Sequence, residues 1–258
     1  MERRDSPARE RRRADTGAGS GGRVPHRAGR GTGLKRFAAL IAAALVLALP
    51  AAPAFALDEP VNAPAAQRIA REGAGTKTAI FAGGCFWGIE GIFSHIKGVK
   101  SAESGYHGGS AATATYSRVS AGGTGHAEAV RITYDPYVIR YDELLRIFFS
   151  VGADPTVRNR QGPDIGSQYR AALIPTSAEQ RAVAQAYLAQ MGASGVWDDP
   201  IVTRIERLGT FYPAERYHQD YMVKNPRSGY ILRWDKPKVD ALRRMYPRDY
   251  RADFLRDG

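Results

Sequence analysis

The chain holds one cysteine, Cys85, in the run Gly83-Gly84-Cys85-Phe86-Trp87-Gly88-Ile89-Glu90. An apolar, β-leaning stretch, Thr78–Ala82, leads in. A helix-period set, Phe86, Ile89, Phe93 and Ile96, leads out. Cys85 is therefore expected at a strand-to-helix turn, at a helix N-terminus. There the unpaired backbone N–H groups and the positive end of the dipole favour a thiolate. Phe86 and Trp87 can wall a small apolar pocket beside it. A nucleophile is one reading of such a thiol, and a buried structural cysteine is the other.

Glu128 is the second informative residue. In the alternating run 128–134 its side chain shares a face with Val130, Ile132 and Tyr134. A carboxyl on an apolar face is pushed toward its neutral form, and a neutral carboxylic acid at pH 7 can protonate a substrate. A strand starting one residue later would leave the same side chain in water. Asn159–Arg170 packs hydrogen-bonding groups into a loop that enters a strand, and Asp164 and Tyr169 can both turn toward a site or serve ordinary turn chemistry. Tyr106, among glycines in Gly105-Tyr106-His107-Gly108-Gly109, offers a hydroxyl or a packing anchor. His95, His107, His126 and His218 lack ligand spacing, and one cysteine cannot build a sulfur-rich zinc site. Each is expected to be an ordinary hydrogen-bonded histidine.

The elements that must position these groups read in order. Strands are expected near 76–82, 99–105, 128–134, 167–174 and 201–208. Helices are expected near 86–96, 141–151, 177–191 and 237–245, the third opened by a Ser177–Gln180 capping box. A Gly/Ser/Thr-rich loop covers 106–125, and 211–222 reads as a short helix or ordered loop. The order implies an α+β domain, with helices on a mixed, largely antiparallel sheet.

Residues 1–57 read differently. A basic stretch, the apolar run Phe37–Leu49 and Ala54-Phe55-Ala56 form a signal peptide with cleavage expected after Ala56. The alternative is an uncleaved membrane anchor. Residues 58–75 read as a linker, and 76–258 as the folded domain. The net charge of +11 misleads, because residues 1–57 hold 11 Lys/Arg against 4 Asp/Glu and the remainder 26 against 22. Charge therefore makes no case for a nucleic-acid partner.

Taken together, Gly-Gly-Cys85-Phe-Trp87-Gly, Gly105-Tyr106-x-Gly-Gly, Gly125-His-Ala-Glu128, Asp164-x-Gly-x-Gln-Tyr169-Arg and Tyr217-His-Gln-Asp-Tyr221 closely resemble peptide methionine-sulfoxide reductase A. The resemblance covers about Thr76–Tyr221. It implies a two-layer sandwich around a ferredoxin-like core, and reduction of methionine S-sulfoxide, in proteins and as the free amino acid. It implies Cys85 as nucleophile, passing through a sulfenic acid, and Glu128 as proton donor to the sulfoxide oxygen. Tyr106 and Tyr169 would be hydroxyl donors, Asp164 would order the network, and Phe86 and Trp87 would hold the S-methyl group. No metal or organic cofactor is implied. Oxidised proteins are the implied partners, and a monomer is expected.

Many relatives carry further cysteines that resolve the sulfenic acid, and this chain has none. Recycling is expected to use an external thiol, from a thioredoxin-like protein, a glutaredoxin-type system or a small molecule. Two competing classes stay open on the residues alone. One is a cysteine hydrolase or acyltransferase with a histidine base. The other is a module that binds oxidised methionine through Phe86 and Trp87 without turnover.

Overall fold

Seven residues of small and β-branched character, Lys77–Gly83, form β1 at the centre of the sheet. The computed structural model describes residues 60–256, so the signal segment read at 1–57 lies outside the described residues. After β1 come helix α1 (Phe86–Ser94), β2 (Val99–His107), α2 (Tyr116–Ser120), β3 (Ala127–Tyr134) and α3 (Tyr141–Ile147). Next come a two-residue ribbon, β4 (Arg160–Gln161) and β5 (Asp164–Ile165), then β6 (Ala171–Ile174) and α4 (Ala178–Ala193). Two short edge strands, β7 (Arg204–Ile205) and β8 (Phe211–Pro213), and two helices, α5 (Tyr221–Lys224) and α6 (Lys236–Met245), complete the order.

The sheet runs β7-β6-β1-β3-β2-β8, and every pairing except β6 with β7 is antiparallel. Its inner four strands, with α1 and α3 as the connections, have the ferredoxin-like order. The architecture is the α+β sandwich expected, with a mixed, largely antiparallel sheet. The inner face carries Phe81, Val130, Ile132 and Tyr134 against Ile89, Ile92 and Phe93 of α1 and Leu144 and Leu145 of α3, all buried. Phe81 sits 4.8 Å from Phe93 and 5.2 Å from Phe148, centroid to centroid. Each such ring contributes about 1.5–3 kcal/mol on burial.

The outer face combines the small side chains Ala82, Ala127, Ala129 and Ala172 with Ile80, Ile174 and Phe211. The segment Glu206–Thr210 crosses it, because β7 and β8 lie at opposite edges. His107 points to this face, accepts the Gly209 N–H at Nε2 (3.1 Å) and lies 3.8 Å from Glu206. Five strand spacings of about 4.8 Å exceed what so short a segment spans in a flat sheet, so the sheet curls.

Some expectations shift. The 106–125 loop is not all loop: β2 runs to His107 and α2 lies within it. The strand expected over 167–174 begins at Ala171, after a 3₁₀ turn at Ser167–Tyr169. The strand expected over 201–208 keeps only Arg204–Ile205. Helix α3 widens into a π-helical turn, Phe148–Gly152. Ser177 caps α4 by accepting the Gln180 N–H, yet the Gln180 side chain accepts from Thr176 N, not from Ser177 N. Residues 60–75, expected as a linker, are an extended strap. Ala63 N donates to Ser150 Oγ, Ala70 N to Asp142 Oδ1, and Tyr134 Oη to Glu72, while Ala63 is fully buried.

Gly84 closes β1 with φ at +88°, and a Cβ there would stand 2.5 Å from Gln161 Cβ. Backbone strain and collision add, so Gly84→Ala is expected to destabilise the fold by about 2–4 kcal/mol. Urea unfolding measures this.

Candidate active site

Sheet register assembles the site. Tyr106 on β2 faces Glu128 on β3, and β1 pairs with β3 as far as Phe81 with Val130. Continuing that register brings the end of β1 beside Glu128. The glycine turn then delivers Cys85 as the N-cap of α1. An N-cap side chain ordinarily accepts a backbone N–H of the first turn. Cys85 makes no such cap hydrogen bond, and the nearby Trp87 N–H only weakly favours its ionised form. The Phe86 N–H is claimed by Glu128 Oε2 at 3.0 Å. The first free amide of the helix start thus goes to the carboxyl.

The electrostatics reverse one expectation. The helix N-terminus does not win, and the Cys85 thiol is pushed well above its ordinary value. Burial is the main cause, the charges of Asp235, Glu128 and Asp164 add to it, and only the Trp87 N–H opposes. Cys85 is partly exposed where it meets the cleft described below. Glu128 is 2 % exposed, and burial pushes its carboxyl up to about 8, with the Phe86 N–H opposing and Asp164 and Asp235 adding. Thiol and carboxyl are both protonated at neutral pH. Asp164 is raised by burial, while the Tyr230 hydroxyl that it accepts and the Lys238 ammonium hold it down.

The tyrosines separate. Tyr169 is half-buried, and its hydroxyl is raised first by burial and then by the charges of Glu128, Asp164, Tyr116 and Cys85. Tyr106 does not fit its expected place. It is fully buried, its ring packs 5.9 Å from Phe86, and its hydroxyl donates to Glu215 Oε2 at 2.7 Å. Tyr116 stands where that donor was expected. Its hydroxyl is pushed up to about 12, by burial first and then by Glu128 and Cys85. Glu215 Oε1 accepts the Tyr116 N–H at 2.9 Å, so one carboxylate anchors both tyrosines. Tyr116 was missed because a lone aromatic in a Gly/Ser/Thr-rich stretch carries no period.

Phe86 is buried, packed against Tyr106, Trp87 and His218. Trp87 keeps some exposure. It stacks on Tyr221 at 3.7 Å, and its indole N–H donates to His218 Nδ1 at 3.0 Å. A cleft of about 210 Å³ opens at Cys85 and is lined also by Gln161, Asp164, Tyr230, Trp234, Asp235 and Lys238. Tyr230 precedes and Asp235 ends a π-helical turn, Ile231–Asp235, that no sequence pattern signals. Among the described residues, no group of three or more His, Cys, Asp or Glu side chains is arranged to hold a metal ion. The assembled groups can attack a polarised centre with a thiol while protonating a departing oxygen from a neutral carboxylic acid.

Comparison with known proteins points the same way. Residues 77–249 match the family model for peptide methionine sulfoxide reductase. The chain is 53 % identical over 172 residues to peptide methionine sulfoxide reductase MsrA 2 of Synechocystis sp., covering 67 % of this chain and 80 % of the relative. It is 49 % identical over 174 residues to MsrA of Deinococcus radiodurans, covering 67 % and 84 %. Among solved structures, reduced Mxr1 from Saccharomyces cerevisiae superposes with a TM-score of 0.53 at 35 % identity, covering 63 % of this chain and 92 % of that one. Methionine sulfoxide reductase A of Corynebacterium diphtheriae superposes with a TM-score of 0.51 at 35 % identity, covering 59 % and 76 %.

The raised thiol has a direct readout. Alkylation of Cys85 by iodoacetamide, followed against pH, is expected to titrate well above the value of about 8.5 for a free cysteine. A midpoint below that value contradicts the electrostatics described.

Proposed function

The chain belongs to the peptide methionine sulfoxide reductase family and reduces methionine sulfoxide to methionine, and on that premise we propose that Cys85 and Glu128 carry the reduction of the S epimer through a sulfenic acid on Cys85. The observation that carries this reading is the 3.0 Å bond from Phe86 N–H to Glu128 Oε2, which seats a neutral carboxylic acid beside the thiol.

The Cys85 sulfur attacks the sulfoxide sulfur. Glu128 gives its proton to the sulfoxide oxygen, and the thiol proton restores Glu128. The oxygen leaves the methionine sulfur and ends on Cys85 as sulfenic acid, so the substrate sulfur is reduced by two electrons and Cys85 oxidised by two. Tyr116 and Tyr169 donate to the oxygen as its charge grows. Trp87 is the exposed apolar wall for the S-methyl group, with buried Phe86 behind it. Asp164 holds Tyr230 at the cleft. Methionine sulfoxide in oxidised proteins is the principal substrate, with the free amino acid also accepted.

With one cysteine in the chain, the sulfenic acid is returned to thiol by an external donor such as a thioredoxin-like protein, and no bound cofactor takes part. Residues 1–57 support export, with cleavage after Ala56. Uncleaved, the same apolar run serves as an anchor.

Reduction of a peptide methionine sulfoxide by the whole chain, each sulfur epimer assayed separately with excess dithiothreitol, tests the reading. Turnover of the S epimer alone is expected, abolished in Cys85→Ser and slowed about 10²–10⁴-fold in formation of the sulfenic acid by Glu128→Gln. Substantial activity in Cys85→Ser removes the nucleophile assignment.

The two tyrosines give a separate contrast. Tyr116→Phe is expected to slow formation of the sulfenic acid at least tenfold, and Tyr106→Phe to act through stability. Pre-steady-state kinetics and thermal melts on the pair distinguish them, and the reverse pattern restores Tyr106 to the site.

A further inference from the structure

Asp235 occupies the N-cap position of α6, the usual place for an aspartate that caps a helix, yet its side chain makes no cap hydrogen bond. It is 2 % exposed and turned the other way, into the lining of the cleft that also contains Cys85. Its Oδ1 rests on the first turn of α1, where any side chain at Gly88 would collide with it. Its Oδ2 is buried with no hydrogen-bond partner. A buried carboxyl oxygen left unpaired is costly to the fold. The other two carboxyls near the thiol have partners: Glu128 holds the Phe86 N–H, and Asp164 holds the Tyr230 hydroxyl. The reduction step described above uses Glu128 and leaves Asp235 unused.

We propose that Asp235 is the proton-transfer group of the recycling half-reaction, serving the external thiol that enters the cleft. This rests on the sulfenic-acid reading of Cys85. The Asp235 carboxylate takes the proton from the incoming thiol. The thiolate sulfur attacks the Cys85 sulfur, the S–O bond breaks, and the departing hydroxide leaves as water with the proton that Asp235 received. Cys85 is reduced from the sulfenic to the disulfide level as the donor sulfur is oxidised to it. A second thiol then releases Cys85 as thiol and the donor as its own disulfide. A free thiol has few ionised molecules at neutral pH, and hydroxide is a poor leaving group. One carboxyl lining the same cleft as the sulfur answers both needs.

Its acidity suits the task. Burial and the Asp164 charge push Asp235 up, and the Lys238 ammonium pulls it down, leaving it at about 7. The other ionisable groups around the same cleft are Cys85, Tyr230 and Arg244. Exchange of a proton with a carboxyl near pH 7 is efficient in both directions.

The test separates the two halves of the cycle on the whole chain. Without thiol, one equivalent of methionine is released per Cys85, and failure of that burst overturns the sulfenic-acid reading itself. Given the burst, Asp235→Asn is expected to slow recycling far more than it changes formation of the sulfenic acid, which is trapped with dimedone. Recycling by dithiothreitol is expected to slow about 10²-fold. The defect should shrink with trifluoroethanethiol, which ionises more readily and needs less help. Recycling at the wild-type rate, a burst slowed as much as recycling, or a defect indifferent to thiol acidity overturns the proposal. The wild-type protein provides an independent arm. Unassisted thiols less acidic than the medium lose about threefold in rate per unit of rising pKa. A base at the site flattens that dependence, and the full dependence in wild type also overturns the proposal.

Discussion

The hydrogen bond from Phe86 N–H to Glu128 Oε2 joins the first turn of a helix to the middle of a sheet. It depends on three things at once. The β1–β3 register must bring Glu128 level with the end of β1. The glycine turn must let the chain reverse direction within two residues. And α1 must start at Phe86, so that its amide is unpaired. Once these hold, a carboxyl is buried where water would have ionised it, and its neutrality follows from burial. The same burial raises the thiol. The site keeps its charges suppressed until a substrate arrives that can accept a proton, and at the helix start only the Trp87 N–H opposes the rise of the thiol.

Much of this was legible. The period-two run ending at Tyr134 put Glu128 on the face of Val130 and Ile132 or, with a later start, in water, and the structure buries it; the change of period at Cys85 marked the strand-to-helix turn. Asp164 and Tyr169 were visible as a dense polar loop entering a strand. Other parts depend on contacts between segments far apart in the chain, which no local pattern encodes. Tyr106 sits among glycines and Tyr116 among alanines, serines and threonines, and only Glu215, about a hundred residues away, commits the Tyr106 hydroxyl while holding Tyr116 by its backbone N–H. Asp235 reads locally as a helix cap before Lys236-Pro237, and only Gly88 on α1 shows where it turns. The strap at 60–75 has a linker's composition. It stays down because Ser150 and Asp142 accept its amides and Tyr134 donates to Glu72.

Gln180 illustrates how such contacts replace a local motif. Its sequence position predicts a reciprocal capping box with Ser177. The side chain instead accepts from Thr176 N and donates to Thr78 O and Tyr134 Oη, tying α4 to the start of β1 and the end of β3. The cap survives on one side only, and the other hydrogen bonds are spent on tertiary structure.

Only five residues, Glu206–Thr210, join β7 to β8 at the opposite edge. Two- and three-residue strands at the rims of a sheet would ordinarily fray independently. Here the crossing links the rims, held by Arg170 at Glu206 and by His107 at Gly209. Release of β7 from β6 slackens the hold on β8, and with it the cover over His107 and the small outer-face alanines. The two rims, at opposite ends of the sheet, form one mechanical unit that opens or closes together.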